Sequence, residues 1–473
     1  MHQQKTTGRG SFSGNLGFIL AAIGSAIGMG NLWGFPYKMG ANGGFPFLII
    51  YLFFVITCGV VVMGIEMAIG RRTGKSPVLA MGELGRQYRI VGWFGVLSAT
   101  IIMGFYTVLV GYAVRYLAGF AMQIFGADGF SGMSRGSKFF GAYTGNVAEV
   151  LIYTAITFAA CYLIVAGGIQ SGIEKFNKVG IPALFAILVI LIVYNFTLPG
   201  SEQGLVYMFT SKGMEMAGTE FNFLKACRTA AGQMLFSCSL GMGAMITYGS
   251  YLEKDANISV NAWIIPAADT VAAIMAGLAI FPAVFAQGGS PAAGPGLLFI
   301  TMHDTFCSMG KTGNIMGFLF YLLVIFAGIS SCISLMEVTS AHFIDASAAK
   351  GKPMSRKRAV GLVVLIMLAL SVPICVDQLG GKGWAIYQFL GAGSQDLLDL
   401  YDFITEGLMM PLGATLMCVV MGWKVGMPWM EEELQQCGNT FYCRRFFHFC
   451  TKYLTPVLMA FVLISLALSY VGI

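Results

Sequence analysis

Apolar runs of about 20 residues follow one another along almost the whole chain, each long enough to cross ~30 Å of hydrocarbon. Of 473 residues, 57% are hydrophobic and 11% charged, with a mean hydropathy of +0.75, whereas an ordinary soluble chain is about 25% charged. A soluble core cannot absorb that excess. The pattern predicts an all-α integral membrane protein with eleven transmembrane helices, at 15–37, 46–70, 91–125, 149–168, 175–197, 229–252, 259–285, 313–345, 358–375, 396–422 and 451–472. The connections leave no room for a second soluble domain, so residues 1–473 read as one transmembrane domain.

Basic residues near span ends set the orientation. Arg71, Arg72, Lys75, Arg86 and Arg89 follow span 2; Lys350, Lys352, Arg356, Lys357 and Arg358 follow span 8; Lys424, Arg444, Arg445 and Lys452 lie between spans 10 and 11. All three loops fall on one side, with Lys5 and Arg9 of the N-terminus. The N-terminus is therefore expected in the cytoplasm of a multi-pass cell-membrane protein, and the odd span count puts the C-terminus outside. The net charge of +6 is then a topology signal and gives no support to nucleic-acid binding. The first apolar run lacks an A-x-A-like cleavage site and leads into further spans, so no cleavable signal peptide is expected. Eleven cysteines, odd in number and mostly within spans, argue against a disulfide framework. Cys437, Cys443, His448 and Cys450 cluster, but their spacing matches no common zinc pattern.

Two of the runs are interrupted. "SAIGMGNLWGFP", Ser25 to Pro36, carries glycines at 28, 30 and 34 and a proline, and "SCSLGMGAMITYGS" repeats Gly-Met-Gly at 241–243. A helix-interior glycine costs ~1 kcal/mol against alanine, and lipid cannot satisfy unwound backbone. One break reads as small-residue helix packing. Two breaks, in spans 1 and 6, read as corresponding members of two five-span halves, repeat one at about 15–197 and repeat two at about 229–422, with an extra span at about 451–472. Five is odd, so the halves are inverted, and interrupted spans at matching places point to a midplane site in a secondary transporter. A channel would show a filter loop, and none is visible. An enzyme is not expected either: His2, His303, His342 and His448 all lie at or outside span ends.

Around the breaks lie neutral oxygen donors: Ser25, Asn31, Gln233, Ser237, Ser239 and the carbonyls of Gly24 to Ile27. They suit sodium, a hard cation. Span 8 adds Ser330 and Ser331, which otherwise read as hydroxyls bonded to their own helix. Ionisable residues within spans are expensive and usually functional; Glu66, Asp269, Glu337, Asp345, Asp399 and Asp402 are the candidates. Asp269 has no basic residue in its own span, and either pairs with a bound cation or sits protonated.

At these residues the chain resembles the neurotransmitter:sodium symporter family, a solute carrier 6-like group with bacterial amino-acid transporters. The anchors are "GNLWGFPY", "NGGFPFLIIY", "SLGMGAMITYGSYL", "GPGLLF" and "FAGISS". The resemblance implies a leucine-transporter-type fold, an inverted 5+5 helix repeat with broken spans 1 and 6. It implies a first sodium site from Ala26, Asn31, Ser237 and Asp269, and a second from Gly24, Ile27, Ala327, Ser330 and Ser331. A substrate carboxylate would meet Met29, Gly30 and Tyr106, with Ala26 and Ser237 beside it. Side-chain contacts would come from Ile102, Phe236, Ser239, Met242, Ser331, Ser334 and Leu335, and Tyr106 and Phe236 would form a lid. Amine-transporting relatives have an aspartate where Gly28 stands, so this substrate should bring its own carboxylate. Met242, unbranched between glycines, favours large apolar or aromatic amino acids; a small neutral amino acid or an osmolyte is the alternative. Asp269 stands where chloride-dependent members have asparagine, so chloride is not expected to be needed. The family's outer gate pairs an arginine with an aspartate; Asp402 is present, but Gly34 replaces the arginine, leaving Lys38 as a substitute. The cytoplasmic gate would pair Arg9 with Asp345, with Phe12 beside it. A twelfth span that packs a dimer in one relative is missing, which leaves the oligomeric state open.

Overall fold

The computed structural model describes residues 10–133, 135–217, 221–286, 288, 296–381 and 396–471, and among these every regular element is a helix. Two short helices, α1 (Asn15–Ala26) and α2 (Gly30–Ala41), open the chain at 45° to each other. They are followed by α3 (Phe45–Thr73), α4 (Arg86–Ile124), α5 (Val147–Ala166) and α6 (Ile169–Asn195). A second interruption separates α7 (Phe223–Ser237) from α8 (Ala244–Gly249). The bundle is completed by α9 (Ile258–Ala286), α10 (Gly310–Ala349), α11 (Arg356–Asp377), α12 (Leu397–Val425) and α13 (Arg444–Leu466). Among the described residues, nine of these helices are long and apolar enough to cross a membrane, ten if the bent α1–α2 pair is one span. The span expected at 229–252 is the α7–α8 pair, whose halves of 15 and 6 residues are each too short to cross alone.

Why this chain packs as it does follows from which faces are apolar. Leu163, Val179, Val193, Leu365 and Val457 stay exposed on the bundle's outer faces; such a belt is tolerable against lipid tails and not against water. The polar minority turns inward, with Glu66, Asp269 and Glu337 fully buried. α10 runs through the middle, packed on α1, α4, α5, α6 and α11. At the end carrying Arg71, the Nε of Arg71 lies 2.5 Å from Glu433 Oε1 and its Nη1 2.6 Å from the Ala256 carbonyl. That guanidinium fastens α3 to the α8–α9 connection and to the short helix Met427–Leu434.

Several helices outrun their expected spans. α10 extends beyond 313–345 at both ends, and α13 starts at Arg444 instead of 451. Arg444 and Arg445, expected in a loop, therefore sit on helix. They are accommodated because a helix continues past the hydrocarbon where long basic side chains reach water or a counter-ion: Arg444 Nε is 2.8 Å, and His448 Nε2 2.5 Å, from Glu431.

The two breaks use the same Gly-Met-Gly differently. In the second, Ser239, Gly241 and Gly243 have φ of 54°, 75° and 72°, the left-handed region that suits glycine. In the first, neither Gly28 nor Gly30 takes a positive φ; there the missing Cβ matters. A Cβ on Gly28 would lie 2.5 Å from the Tyr106 hydroxyl, and one on Gly30 3.0 Å from the Phe236 ring. Gly241 is constrained in both ways, since a Cβ would also fall 2.6 Å from the Met410 carbonyl. Gly241→Ala should therefore lose at least ~1–2 kcal/mol, the left-handed penalty, as a lower melting temperature in detergent. Gly141→Ala, with open space at its Cβ, should be neutral or slightly stabilising.

Candidate functional site at the two helix breaks

Between the breaks lies a small cavity of about 20 Å³, lined by Ser25, Ala26, Gly28, Gly30, Ile102, Tyr106, Phe236, Ser237, Ser239, Met242, Ser331 and Leu335. Ten of the expected substrate contacts are thus brought together. Two are not among the lining residues. Ser334 donates to its own helix, 2.8 Å to the Ser331 carbonyl, as an i−3 hydroxyl readily does. The Met29 N–H donates to the Tyr106 oxygen at 2.6 Å, so it is not open to a ligand, and the Tyr106 hydroxyl proton takes its place. Ser25 and Gly28 line the cavity in addition, Gly28 because its bare Cα leaves room for Tyr106 and Ser331. The walls combine backbone and hydroxyl groups with the apolar side chains of Ile102, Phe236, Met242 and Leu335. The Tyr106 and Phe236 rings stand 6.3 Å apart.

Asp269 of α9 is the electrostatic centre of the site. Its carboxylate accepts from Asn31 Nδ2 at 2.7 Å, from Tyr51 OH at 3.2 Å and from Cys238 Sγ at 3.5 Å, and Ser237 Oγ lies 3.0 and 2.9 Å from its two oxygens. Asn31 also accepts the Gly28 N–H at 2.9 Å through Oδ1. Asn31, Ser237 and Asp269 therefore form one connected cluster on three helices, with Ala26 at the neighbouring cavity wall. This answers the question a buried carboxylate poses, since it is stable only if hydrogen-bonded or paired. Tyr51 and Cys238 gave no signal in the sequence, because single tyrosines and cysteines in apolar spans read as packing.

A second oxygen cluster lies where α1 ends against α10. Ser330 Oγ is 2.9 Å from the Ala327 carbonyl and 3.4 Å from the Ile27 carbonyl, so three expected members of one cage converge. Ser331 donates to the Ser25 carbonyl at 3.3 Å, which also accepts from Ser239 at 2.7 Å. Ser331 thus stands between this cluster and the cavity. Hydroxyl and carbonyl oxygens freed at a helix end fit a hard monovalent cation, which the C-terminal dipole of α1 also favours. Among the described residues no group of three or more His, Cys, Asp or Glu side chains offers a metal site.

Beyond the Tyr106 and Phe236 rings, the ion pair differs from the one expected for the gate. Lys38 Nζ pairs with Glu406, one turn past Asp402 on α12, and sits 5.8 Å from the Phe236 ring centre. Gly34 supplies no cation, and a lysine one turn further along α2 meets the carboxylate one turn further along α12. Asp402 lines the same open cavity of about 460 Å³ as Lys38 and Glu406. At the opposite end, Arg9 lies outside the described residues. Asp345 accepts the Ser76 N–H at 2.7 Å, and the Phe12 ring stands edge-on to Tyr248 and Tyr251, 5.7 and 6.2 Å away. Glu337, between Tyr251 OH at 2.6 Å and Arg356 Nη1 at 3.2 Å, joins α10 to α11 and to the chain just after α8.

Paired helix breaks flanking a small cavity, with hard oxygen clusters beside it, are the arrangement of a cation-coupled secondary transporter. The chain belongs to the sodium:neurotransmitter symporter family, whose model matches residues 9–126 and 128–472. It is 32% identical to an uncharacterized sodium-dependent transporter of Methanocaldococcus jannaschii, across 91% of this chain and 85% of that one. It is 28% identical to the uncharacterized sodium-dependent transporter YhdH of Bacillus subtilis, across 100% and 99%. Among solved structures, that of MhsT in complex with L-phenylalanine superposes with a TM-score of 0.84 at 33% identity, covering 97% of this chain and 100% of that one. The protein is a sodium-dependent transporter with a leucine-transporter-type fold, embedded in a membrane by multiple helices.

The Met29–Tyr106 hydrogen bond is open to test before any substrate is identified. Tyr106→Phe leaves a buried N–H without a partner, at a cost of ~1–3 kcal/mol. A clear fall in melting temperature should therefore appear in potassium, without substrate.

Proposed function

We propose that the protein imports hydrophobic and aromatic L-amino acids together with sodium, by alternating access. The observation that carries this reading is the lining of the cavity between the breaks, which combines backbone and hydroxyl groups with the apolar side chains of Ile102, Phe236, Met242 and Leu335. An α-amino acid has that polarity: a zwitterionic head and an apolar side chain. No acid stands at Gly28 to meet an amine, so the carboxylate comes from the substrate and meets the Tyr106 hydroxyl and Gly30. That the neighbouring MhsT structure holds L-phenylalanine supports the aromatic side of the assignment.

Two sodium ions are assigned. The first is held by Ala26, Asn31, Ser237 and Asp269 beside the substrate carboxylate; the second by Gly24, Ile27, Ala327, Ser330 and Ser331. Sodium there offsets charge and stabilises the unwound backbone; the protein groups position substrate and exclude water. Asp269 supplies a fixed negative charge that would otherwise call for an anion, so chloride is dispensable. On this reading Tyr106 and Phe236 close over the substrate, and the Lys38–Glu406 pair acts in place of an arginine–Asp402 pair as the outer latch. The repeats at 15–197 and 229–422 move against each other, with the N-terminus in the cytoplasm and Arg9 and Asp345 at the inner gate.

A thermal-shift panel of the twenty amino acids, in sodium and in potassium, tests the assignment. Leucine, phenylalanine and tryptophan should stabilise the protein in sodium alone; a response confined to glycine, alanine or an osmolyte would replace the hydrophobic reading with the small-substrate one. Met242→Phe puts a rigid ring into the apolar end, so overpacking of ~1–3 kcal/mol should fall on bulky ligands. Competition against labelled leucine should then shift about 10-fold or more toward small competitors; equal weakening of all competitors would remove Met242 from the pocket. Replacing chloride with gluconate should leave uptake by the parent unchanged, while Asp269→Asn should abolish uptake or make it chloride-dependent.

A further inference from the structure

Asn177 of α6 faces α1 and is fully buried. Its Nδ2 donates to the Ile173 carbonyl, one turn back on the same helix, at 2.9 Å. That bond fixes the direction of the amide. Its other end, Oδ1, has no hydrogen-bond partner and is aimed at Gly24 of α1. A Cβ at Gly24 would collide with Oδ1 and would come within 3.3 Å of Ile181 one turn along α6. The approach therefore depends on glycine.

A buried acceptor left without a partner costs ~1–3 kcal/mol, and turning the amide over would only set Oδ1 against the Ile173 carbonyl. Such a group calls for a water or an ion as its partner. The location discriminates between the two. Gly24 lies in the last turn of α1, and Ile27 is the residue just past its end, where the backbone turns extended and frees its carbonyl. Ser330 reaches across from α10 to the Ile27 carbonyl. Asn177 thus approaches, from a third helix, the turn of α1 that the second sodium cage uses. A neutral amide oxygen is a hard donor of the same kind as the carbonyls already assigned there.

We propose that Asn177 Oδ1 is an oxygen ligand of the sodium ion in the second cage, so that this ion ties α6, as well as α10, to α1. The inference rests on the reading of the Gly24–Ser331 cage given above. It has a mechanical consequence: when sodium leaves, Oδ1 is unpartnered at the α1–α6 contact, which loosens that contact. Sodium release and movement of α1 away from α6 are then favoured together.

The test is a sodium titration of the full-length protein without substrate, at constant ionic strength with potassium, read by thermal shift and by binding of radioactive sodium. Asn177→Leu should raise the sodium midpoint about tenfold, the scale on which metal sites respond to loss of a partner group. In potassium alone its melting temperature should be equal or higher, because an apolar group replaces an unpartnered polar one. Asn177→Asp should lower the midpoint severalfold by adding charge. The inference is overturned if Asn177→Leu keeps a midpoint within about twofold of the parent while Ser330→Ala raises it; Asn177 is then a water-bonded structural residue. If neither variant moves the midpoint, the second-cage reading fails and the inference fails with it. Should Asn177→Leu not fold, Asn177→Asp decides, and an unchanged or raised midpoint sinks the proposal.

Discussion

Inside a bilayer, backbone that leaves helical geometry has no water to turn to, and in this chain the two interrupted spans and the helices around them supply the partners. The Ser25 carbonyl at the end of α1 accepts from Ser239 in the second break and from Ser331 of α10. The Gly30 carbonyl takes the Gln233 amide of α7 at 2.8 Å. The Gly28 and Met29 N–H groups go to Asn31 and Tyr106, and the Gly241 N–H to Glu66 of α3 at 2.7 Å. Each bond contributes only ~0.5–1.5 kcal/mol net, but leaving any one unmade costs more. This is why polar residues of α3, α4, α7, α9 and α10 crowd one depth of the bundle.

The same requirement makes the site responsive to cations. Carbonyls at the α1 terminus and the Asp269 carboxylate concentrate negative potential in a water-poor volume, where Coulomb terms are larger than at a surface. Protein donors around Asp269 come from α2, α3, α7 and the second break, so one carboxylate ties four segments. A cation added beside it, or a change in its charge, acts on all of them at once.

Much of this was legible in the sequence, and the remainder was hidden for identifiable reasons. Glycine spacing marked both breaks, but not that Gly241 and Gly243 serve a left-handed turn while Gly28 and Gly30 serve close approach; that distinction depends on neighbours distant in sequence. Asp402 was legible as an ionisable residue of a span, whereas the partner of Lys38 proved to be Glu406, a choice set by side-chain reach across the cavity that Asp402 also lines. Ser334 has the spacing of a pocket residue, and its rotamer turns it onto its own helix. Asn177 carries no motif at all, and only its burial and its unpartnered oxygen single it out.

The two halves of the first broken span are anchored to different parts of the protein. At the start of α1, the Ser13 N–H donates to Glu174 of α6 at 2.9 Å. α2 is held to α12 by Lys38 and Glu406 and to α7 by the Gly30–Gln233 bond. Between them, Ile27 to Met29 lie outside both helices. A continuous helix would transmit a tilt at one end to the other. Across this 45° joint, α2 can be released from α12 while α1 remains on α6, and the reverse. The alternating access proposed above would use that independence, which arises at the same unwound residues that the proposal assigns to sodium.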